Sequence, residues 1–348
     1  MRIFITGYLG YLGSVLVPML LDAGHEVVGL DNELFKDCAY YPYPIEIATL
    51  KRDIRDIQLS DLYGFDAVVH LAGLSNDPLG DLNPKITYEI NYNAAVRLAS
   101  LAKYAEVPRF LFSSSCAVYG SASSRYVDEN APLQPLTTFA QAKMRAEHDI
   151  SRLADDDFSP IFLRKPTMYG LSPYHRTDTA LNNLVAWGAT TGRIVVKSEG
   201  SAWRPYLHVE DVARAFLLAL DAPTHDIHNQ VFNVVKTEDN YQVRMLAALV
   251  ADVVPRARVE VVTDALHDVR SYRVDGSKIL RHLPMFEPRW TPEQGIAQLF
   301  EAYHDRLLKL DDFEGPRYKR VAYLKSLLAS GRVDAGLRWA SQSARSGG

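Results

Sequence analysis

Short apolar runs and helically spaced apolar positions follow one another along this chain. Arg2-Ile3-Phe4-Ile5-Thr6 is a brief β-branched run that predicts a buried strand. A glycine-studded stretch follows, Gly7-Tyr8-Leu9-Gly10-Tyr11-Leu12-Gly13, after which Val15, Leu16, Met19, Leu20 and Leu21 recur at helical spacing. Gly24 and His25 close that helix, and Glu26-Val27-Val28-Gly29-Leu30 predicts a second strand that stops at Asp31. Val68-Val69-His70-Leu71-Ala72-Gly73 reads as an apolar strand ending in small residues. Arg109-Phe110-Leu111-Phe112 is another, and it runs into Ser113-Ser114-Ser115. Positions 139 and 143, four apart, share one face of a helix. Gly192-Arg193-Ile194-Val195-Val196-Lys197 predicts a late strand. From residue 306 the Lys-, Arg- and Leu-rich sequence predicts one or two amphipathic helices, with 341–348 as a frayed tail.

The opening is therefore strand, glycine loop, helix, strand, with an acid where the second strand ends. Each part answers a physical need. A tight turn requires a residue tolerant of positive φ, supplied by Gly7. Backbone approaches a pyrophosphate closely only where no Cβ intervenes, the role of Gly10, and Gly13 lets the helix lie against the strand. The helix N-terminus offers free N–H groups and a positive dipole to phosphates. Asp31, 24 residues after Gly7, is placed to accept both ribose hydroxyls of an adenosine. A 2′-phosphate there is repelled, and no Arg follows Asp31 to receive one, so the order favours NAD over NADP. The aromatic run Tyr40-Tyr41-Pro42-Tyr43-Pro44 is a loop near the cofactor's adenosine end or the substrate cleft, or else a plain surface turn.

Composition narrows the class without changing this picture. The chain has 348 residues, 47% of them hydrophobic and 23% charged, and no apolar run approaching the ~20 residues of a membrane span. Its 38 basic and 42 acidic residues leave a net charge of −4, which argues against nucleic acid or an anionic membrane as partner. Two cysteines, Cys38 and Cys116, provide neither a disulfide framework nor a zinc spacing. The first residues run straight into the glycine loop, so the expectation is no signal peptide, a cytoplasmic location, no metal and a small-molecule substrate.

Gly-x-x-Gly-x-x-Gly spacing followed by Asp31-Asn32 resembles the extended branch of the short-chain dehydrogenase/reductases, the NAD-dependent sugar-nucleotide epimerases and dehydratases. The resemblance covers roughly residues 1–305. It implies an α/β fold, a Rossmann-type doubly wound parallel sheet with a smaller C-terminal domain for a nucleotide-sugar. The corresponding layout is a cofactor domain at 1–164 with returning segments from about 205–230, a substrate domain at 165–305, and a helical extension at 306–348. It implies cofactor contacts by Gly7, Tyr8, Leu9, Gly10, Tyr11, Leu12, Gly13, Asp31 and Asn32. Asp53 and Ile54 would reach the adenine, Leu71, Ala72 and Gly73 the nicotinamide ribose, with Ser113 and Pro166 nearby. Asn91 would tie the central helix to a strand. A homodimer through the helices that include residues 139–155 is the family's habit.

The same resemblance makes Ser115, four residues before Tyr119, the hydroxyl that bonds the substrate. Dehydratases of the family carry acidic residues immediately after it, whereas this chain has Cys116 and Ala117, which disfavours 4,6-dehydration. Twenty-four residues past Ser115 the family expects Tyr-x-x-x-Lys, its lysine holding the nicotinamide ribose and its phenolate taking the substrate proton. Here Lys143 is present and position 139 is Phe. Three readings stand open: an engineered Tyr→Phe change, a natural Phe with another base recruited, or a binding protein that no longer catalyses. Lys165, Cys116 and His175 are the candidate replacement bases.

In the later half, Ser75, Ser115, Cys116, Thr167 and Asn183 are expected at the substrate, with the backbone of Val196 lining the nucleobase. Trp203-Arg204-Pro205-Tyr206-Leu207-His208 and Arg270-Ser271-Tyr272-Arg273 resemble the segments whose arginines hold the substrate diphosphate, which points to Arg204 and Arg270. Asp211 is expected to cap a helix. The activity implied is epimerisation by transient oxidation of a sugar carbon and hydride return. A dehydratase or ketoreductase on the same scaffold, or a non-catalytic NAD-binding protein, are the rivals.

Overall fold

The structure, a computed structural model, describes residues 1–266 and 270–340, with backbone alone at 123–124 and 262–266. Its centre is a seven-stranded sheet. In chain order the strands are β1 (Arg2–Thr6), β2 (Glu26–Asp31), β3 (Ala48–Lys51), β4 (Ala67–His70), β5 (Arg109–Ser115), β6 (Ser159–Lys165) and β7 (Val231–Asn233). They lie in the order β7-β6-β5-β4-β1-β2-β3, every neighbouring pair parallel. Chain direction across the sheet therefore reverses between β1 and β4, the crevice where open α/β sheets bind ligands.

Both faces are covered, which explains why the strands read as unbroken apolar runs. Helices α1 (Gly13–Asp22), α2 (Ala94–Tyr104), α3 (Thr138–Ser151), α4 (Ala180–Thr191) and α5 (Val209–Asp221) supply most of the cover. On one face Phe4, Val68, Phe110 and Phe112 pack under Leu98 and Ala99 of α2 and Ala146 and Ile150 of α3. On the other, Ile3, Ile5, Val69 and Leu111 pack under Leu16 and Leu20 of α1 and Phe216 and Leu220 of α5. Successive strand residues point to opposite faces, so Ile3 and Phe4 serve different layers. The expected doubly wound architecture is what the chain adopts.

Beyond β6 the chain builds a smaller body and returns to the sheet through α5 and β7. A three-stranded sheet joins Thr167–Tyr169, Trp203–His208 and Asn240–Gln242, and Arg193–Ser198 pairs with Arg258–Leu266. Helix α6 (Pro292–Asp305) packs against α4. The extension forms a short helix at Leu310–Glu314, then α7 (Arg320–Ala329), then an antiparallel bridge between Val333 and Trp339. Tyr323, Leu324, Leu327, Val333 and Leu337 enter the first of the two sheet-face cores. The frayed tail expected at 341–348 lies outside the described residues, as do Asp268 and Val269.

Two local expectations change. Asp211 does not cap α5: the helix begins at Val209, His208 Nδ1 accepts from Glu210 N at 3.3 Å, and the Asp211 carboxylate accepts from the Arg289 and Trp290 amides at 2.9 and 3.0 Å. The aromatic loop is not a surface turn at Tyr40, whose buried ring stands edge-on to Tyr303 and Tyr318 while its hydroxyl donates to Ala302 O at 2.9 Å.

Candidate active site

A cleft enclosing about 1060 Å³ of space open to solvent runs along the carboxyl ends of β1, β2, β4 and β5. Its floor is the glycine loop. Gly7 holds φ at +76°, and a Cβ there would stand 2.7 Å from Ala72 N, closer than any side chain tolerates. A Cβ on Gly13 would meet Gly7 O at 2.4 Å, and one on Gly10 would meet it at 3.1 Å. The loop thus packs backbone to backbone on itself and on the end of β4, with side-chain bonds from Ser14 to Gly10 O at 2.8 Å and from Ser172 to Tyr11 O at 2.7 Å. Below it lies the N-terminus of α1, the positive end of the helix dipole, where the Ser14 amide donates to Gly10 O at 3.1 Å and the Leu16 amide to Leu12 O at 2.9 Å. A bare-backbone cradle at the switch point, with a helix N-terminus beneath it, fits the pyrophosphate of a dinucleotide.

Asp31 and Asn32 stand at the end of β2 on the same wall, with Asp53 and Ile54 beside them. The Asp31 carboxylate accepts from Glu33 N at 2.8 Å and from Leu9 N at 3.2 Å. Burial raises its pKa from 3.8 to about 6 despite those two bonds. Asp53 accepts two bonds from the Arg55 guanidinium, each 2.8 Å. Burial alone would raise its pKa, and the Arg55 bonds outweigh that and hold it below 3.8.

Toward the other end the wall passes Leu71, Ala72, Gly73, Ser75 and Ser113 to Lys165 and Met168. Asn91 bonds Leu74 from both sides of its amide, accepting at 2.8 Å and donating at 2.9 Å, and so fixes the loop after β4. Lys143 lies one layer behind the wall: its Nζ donates to Ser113 O at 2.8 Å, and a Cβ on Gly73 would lie 3.9 Å from it. Burial and the neighbouring Lys165 charge push the Lys143 ammonium down to about 7. Burial and Arg176 likewise lower Lys165 to about 8.

The facing of Lys143 is set four residues farther on. Glu147 sits one turn beyond it on α3 and accepts from Arg164 of β6 at 2.7 Å and from the Ser114 hydroxyl of β5. Arg164 Nη1 donates to the Tyr119 hydroxyl at 2.9 Å, which donates in turn to Asn233 Oδ1 of β7 at 2.8 Å. This buried network ties three strands to α3 and fixes the rotation of the helix. One turn ahead of Lys143, Phe139 is 5% exposed, and its Cβ occupies the space a side chain on Gly80 would need. Ser115 closes β5, opposite Lys165 in register, and its hydroxyl accepts from Ala117 N at 3.2 Å.

The substrate arginines are brought together. Arg204 Nη1 donates to Trp203 O at 2.7 Å and to Arg270 O, and its guanidinium lies 4.7 Å from the Tyr272 ring centroid. Arg270 pairs with Asp77, which also accepts from Thr137, the N-cap of α3. That links the arginine pair to the helix that carries Phe139 and Lys143.

Several expected residues turn their side chains elsewhere. The Tyr8 ring lies over Gly29 of β2, so only its backbone can serve the loop. Cys116 is 1% exposed, donates to Arg164 O at 3.3 Å, and burial pushes its thiol well up, which removes it as substrate contact and as base. His175 is equally closed: it is fully buried against the Tyr303 hydroxyl at 2.7 Å, and burial lowers it to about 3. Pro166 is buried and off the wall, where Lys165 and Met168 stand instead. Asn183 spends its amide on Thr177 O at 2.8 Å. Thr167 and Val196 lie in the smaller sheets, paired with Tyr206 and Val261.

Sequence reasoning missed Arg176 and Asn182. Arg176 lines the cleft and donates to the Ser75 hydroxyl at 2.9 Å. Asn182 donates to the Tyr11 hydroxyl at 3.2 Å and to Arg176 O at 2.9 Å, pinning that wall to the glycine loop. Arg176 stands in no motif, whereas Asn182 directly precedes Asn183 in an Asn-Asn-Leu segment whose second asparagine is the one expected at the substrate.

Comparison with known proteins agrees with this geometry. Curated relatives include a UDP-glucose 4-epimerase of Mycolicibacterium smegmatis, 28% identical over 318 residues, spanning 88% of this chain and 99% of the relative. Another UDP-glucose 4-epimerase, from Corynebacterium glutamicum, is 27% identical over 268 residues, 73% of this chain and 80% of the relative. Among solved structures, MoeE5 in complex with UDP-glucose and NAD superimposes with a TM-score of 0.75 at 26% identity, covering 88% of this chain and 100% of that one. TunA, an NAD-dependent NDP-hexosamine 5,6-dehydratase of tunicamycin biosynthesis, gives 0.78 at 23% identity over 87% and 98%, a likeness of fold. The sequence model of the NAD dependent epimerase/dehydratase family matches residues 3–234, which include the glycine loop, Asp31, Ser115, Lys143 and Arg204, and this chain belongs to that family.

Proposed function

We propose that the protein is an NAD-dependent epimerase of nucleotide-linked sugars. The observation that carries this reading is a dinucleotide cleft whose far wall is bonded, through hydrogen bonds and one ion pair, to the residues expected at the sugar. A backbone cradle for a dinucleotide continues to Ser113 and Lys165, Lys143 braces Ser113 from behind, and Arg204 and Arg270 connect to the helix that carries Lys143 through Asp77 and Thr137. Gly7, Gly10, Gly13, Asp31 and Asn32 would hold NAD, which when bound supplies the acceptor and return donor of a hydride. Arg204 and Arg270 would take the diphosphate of the substrate in forked, charge-assisted bonds. Ser115 would orient the sugar hydroxyl.

Position 139 supplies a ring and no proton carrier. Lys165 stands on the cleft wall with a pKa lowered to about 8, so that a fraction is neutral near pH 7 and can accept the hydroxyl proton. Water loss from the sugar is disfavoured because neither Ala117 nor the buried Cys116 thiol can move a proton. The outward rows of α2 and α3, with Tyr104 77% exposed, support the homodimer as part of the reading.

The decisive experiment supplies UDP-glucose and UDP-galactose to the chain and to Phe139→Tyr. A phenol restored beside Lys143 is expected to raise interconversion by about a hundredfold or more, and Lys165→Ala to abolish whatever the unaltered chain catalyses. Silence of both chains with NAD bound makes this a binding protein instead, as Phe139 by itself would suggest.

A further inference from the structure

The cofactor cleft carries a positive charge that the glycine loop does not account for. Arg320, the first residue of α7 in the C-terminal extension, lies on the cleft wall with Asp31, Asn32 and Phe35 and is 3% exposed. Its Nη2 donates to Tyr174 O at 2.9 Å, and its guanidinium carbon stands 4.6 Å from the Phe35 ring centroid. Its Nη1 is buried and has no hydrogen-bond partner. The neighbouring Arg176 is balanced: Nε and Nη2 donate to Asp178 at 2.7 and 3.0 Å. Asp178 offers Arg320 only its bond to the backbone amide, at 3.3 Å. Two guanidiniums thus face two carboxylates, Asp178, whose oxygens are already bonded by Arg176, and Asp31, which accepts from its own two amides, with the Cys38 thiol as the other polar side chain beside Arg320. Among the described residues no carboxylate is bonded to the Arg320 guanidinium, and burying a charge so incompletely compensated is costly, a cost that a bound anion offsets.

The extension that delivers Arg320 is fastened to the same end of the cleft. Trp339 Nε1 donates to Asn32 O at 2.6 Å, Tyr323 donates to Asp37 at 3.1 Å, and Arg338 Nη2 reaches Asp56 at 3.0 Å. These contacts seat residues 320–339 on the loop after β2 and the turn after β3. Arg176, on the same wall, is joined to the glycine-loop residue Tyr11 through Asn182.

We propose that Arg320 binds the diphosphate of NAD and that residues 306–340 are a clasp completing the cofactor site. A planar fork with one unused donor beside a second guanidinium matches the oxygens of a diphosphate. A 2′-phosphate shares that chemistry, but the Asp31 carboxylate stands where it would lie. This inference rests on the cofactor, not on the sugar chemistry, so failure of turnover leaves it readable.

The test is calorimetric titration of the full chain and its Arg320→Met variant with NAD, ADP-ribose, adenosine and NADP. Loss of one charge-assisted bond is expected to weaken NAD and ADP-ribose about ten- to a hundredfold and to leave adenosine within about twofold. Unchanged NAD affinity overturns the proposal. So does equal weakening of adenosine, which marks a packing role, or a larger loss for NADP than for NAD, which places the charge at the 2′ position. If the Met variant does not fold, Arg320→Lys keeps the charge and loses the fork. Several-fold weaker NAD with adenosine unchanged then supports the proposal, and unchanged NAD overturns it.

Discussion

The two ends of the cleft are built on opposite plans. At the dinucleotide end the working surface is backbone: Gly7, Gly10 and Gly13 act by lacking a Cβ, and the loop is closed by carbonyls and amides of β1, β2 and β4. At the other end, where the chemistry is proposed, side chains matter: Lys165 lines the cleft, while Lys143 and Ser115 stand behind and beside that wall on two further elements, braced by the buried Glu147–Arg164 pair. The difference is one of vulnerability. A backbone site fails when an atom is added, whereas a side-chain site can lose its chemistry with almost no change in packing. Phe139 illustrates the second case, since one hydroxyl fewer than Tyr still fills its buried seat against Gly80.

The sharpest way to break the comparison is Gly7→Val. A β-branched residue at φ +76° with its Cβ 2.7 Å from Ala72 N is expected to remove measurable NAD binding in a titration. Next in size is Glu147→Ala, which leaves Arg164 as an uncompensated buried charge and should cost about 3–5 kcal/mol in denaturant unfolding. Retention of wild-type stability there would show that the pair does not brace the chemical end.

Smaller, and confined to the dinucleotide end, is a pH effect. The Asp31 pKa is raised from 3.8 to about 6, so the folded chain holds that proton more tightly than the unfolded chain. Stability of the cofactor-free protein from this group falls as pH rises from about 4 through about 6, while the carboxylate's capacity to accept ribose hydroxyls grows. NAD affinity should therefore weaken by up to about tenfold per pH unit below about 6, and Asp31→Asn should flatten the profile. The smallest expected effect is that of Cys116→Ala, whose thiol faces Arg164 O away from the cleft. NAD affinity should stay within about twofold, with a stability loss of about 1 kcal/mol.

Reading the sequence reached the first end almost whole. Glycines, helix and terminal acid lie within residues 2–31, close enough in the chain for spacing to report geometry. Ser115, Lys143 and Phe139 were found because a strand end and a helical i, i+4 pair are local patterns too. The family resemblance puts Cys116 at the substrate beside Ser115, and the structure turns it away. β5 ends at Ser115 and a 3-10 turn begins at Cys116, which carries that side chain into the core beside Val118 and Tyr272. Tyr8, inside the glycine loop, turns its ring over Gly29 instead.

What the sequence determined by itself was the parallel α/β fold, the nucleotide cradle and the missing hydroxyl at 139, because each is encoded by residues a few positions apart. Only the tertiary structure decided the opposite wall. Arg176 and Arg320 are 144 positions apart (320 less 176) and carry no periodicity. They meet because α7 packs on the sheet core and the segment before α4 folds back on the glycine loop, where Gly170 and Ser172 bond Tyr11. A buried guanidinium is recognisable as unbalanced only when every neighbouring charge has been placed around it.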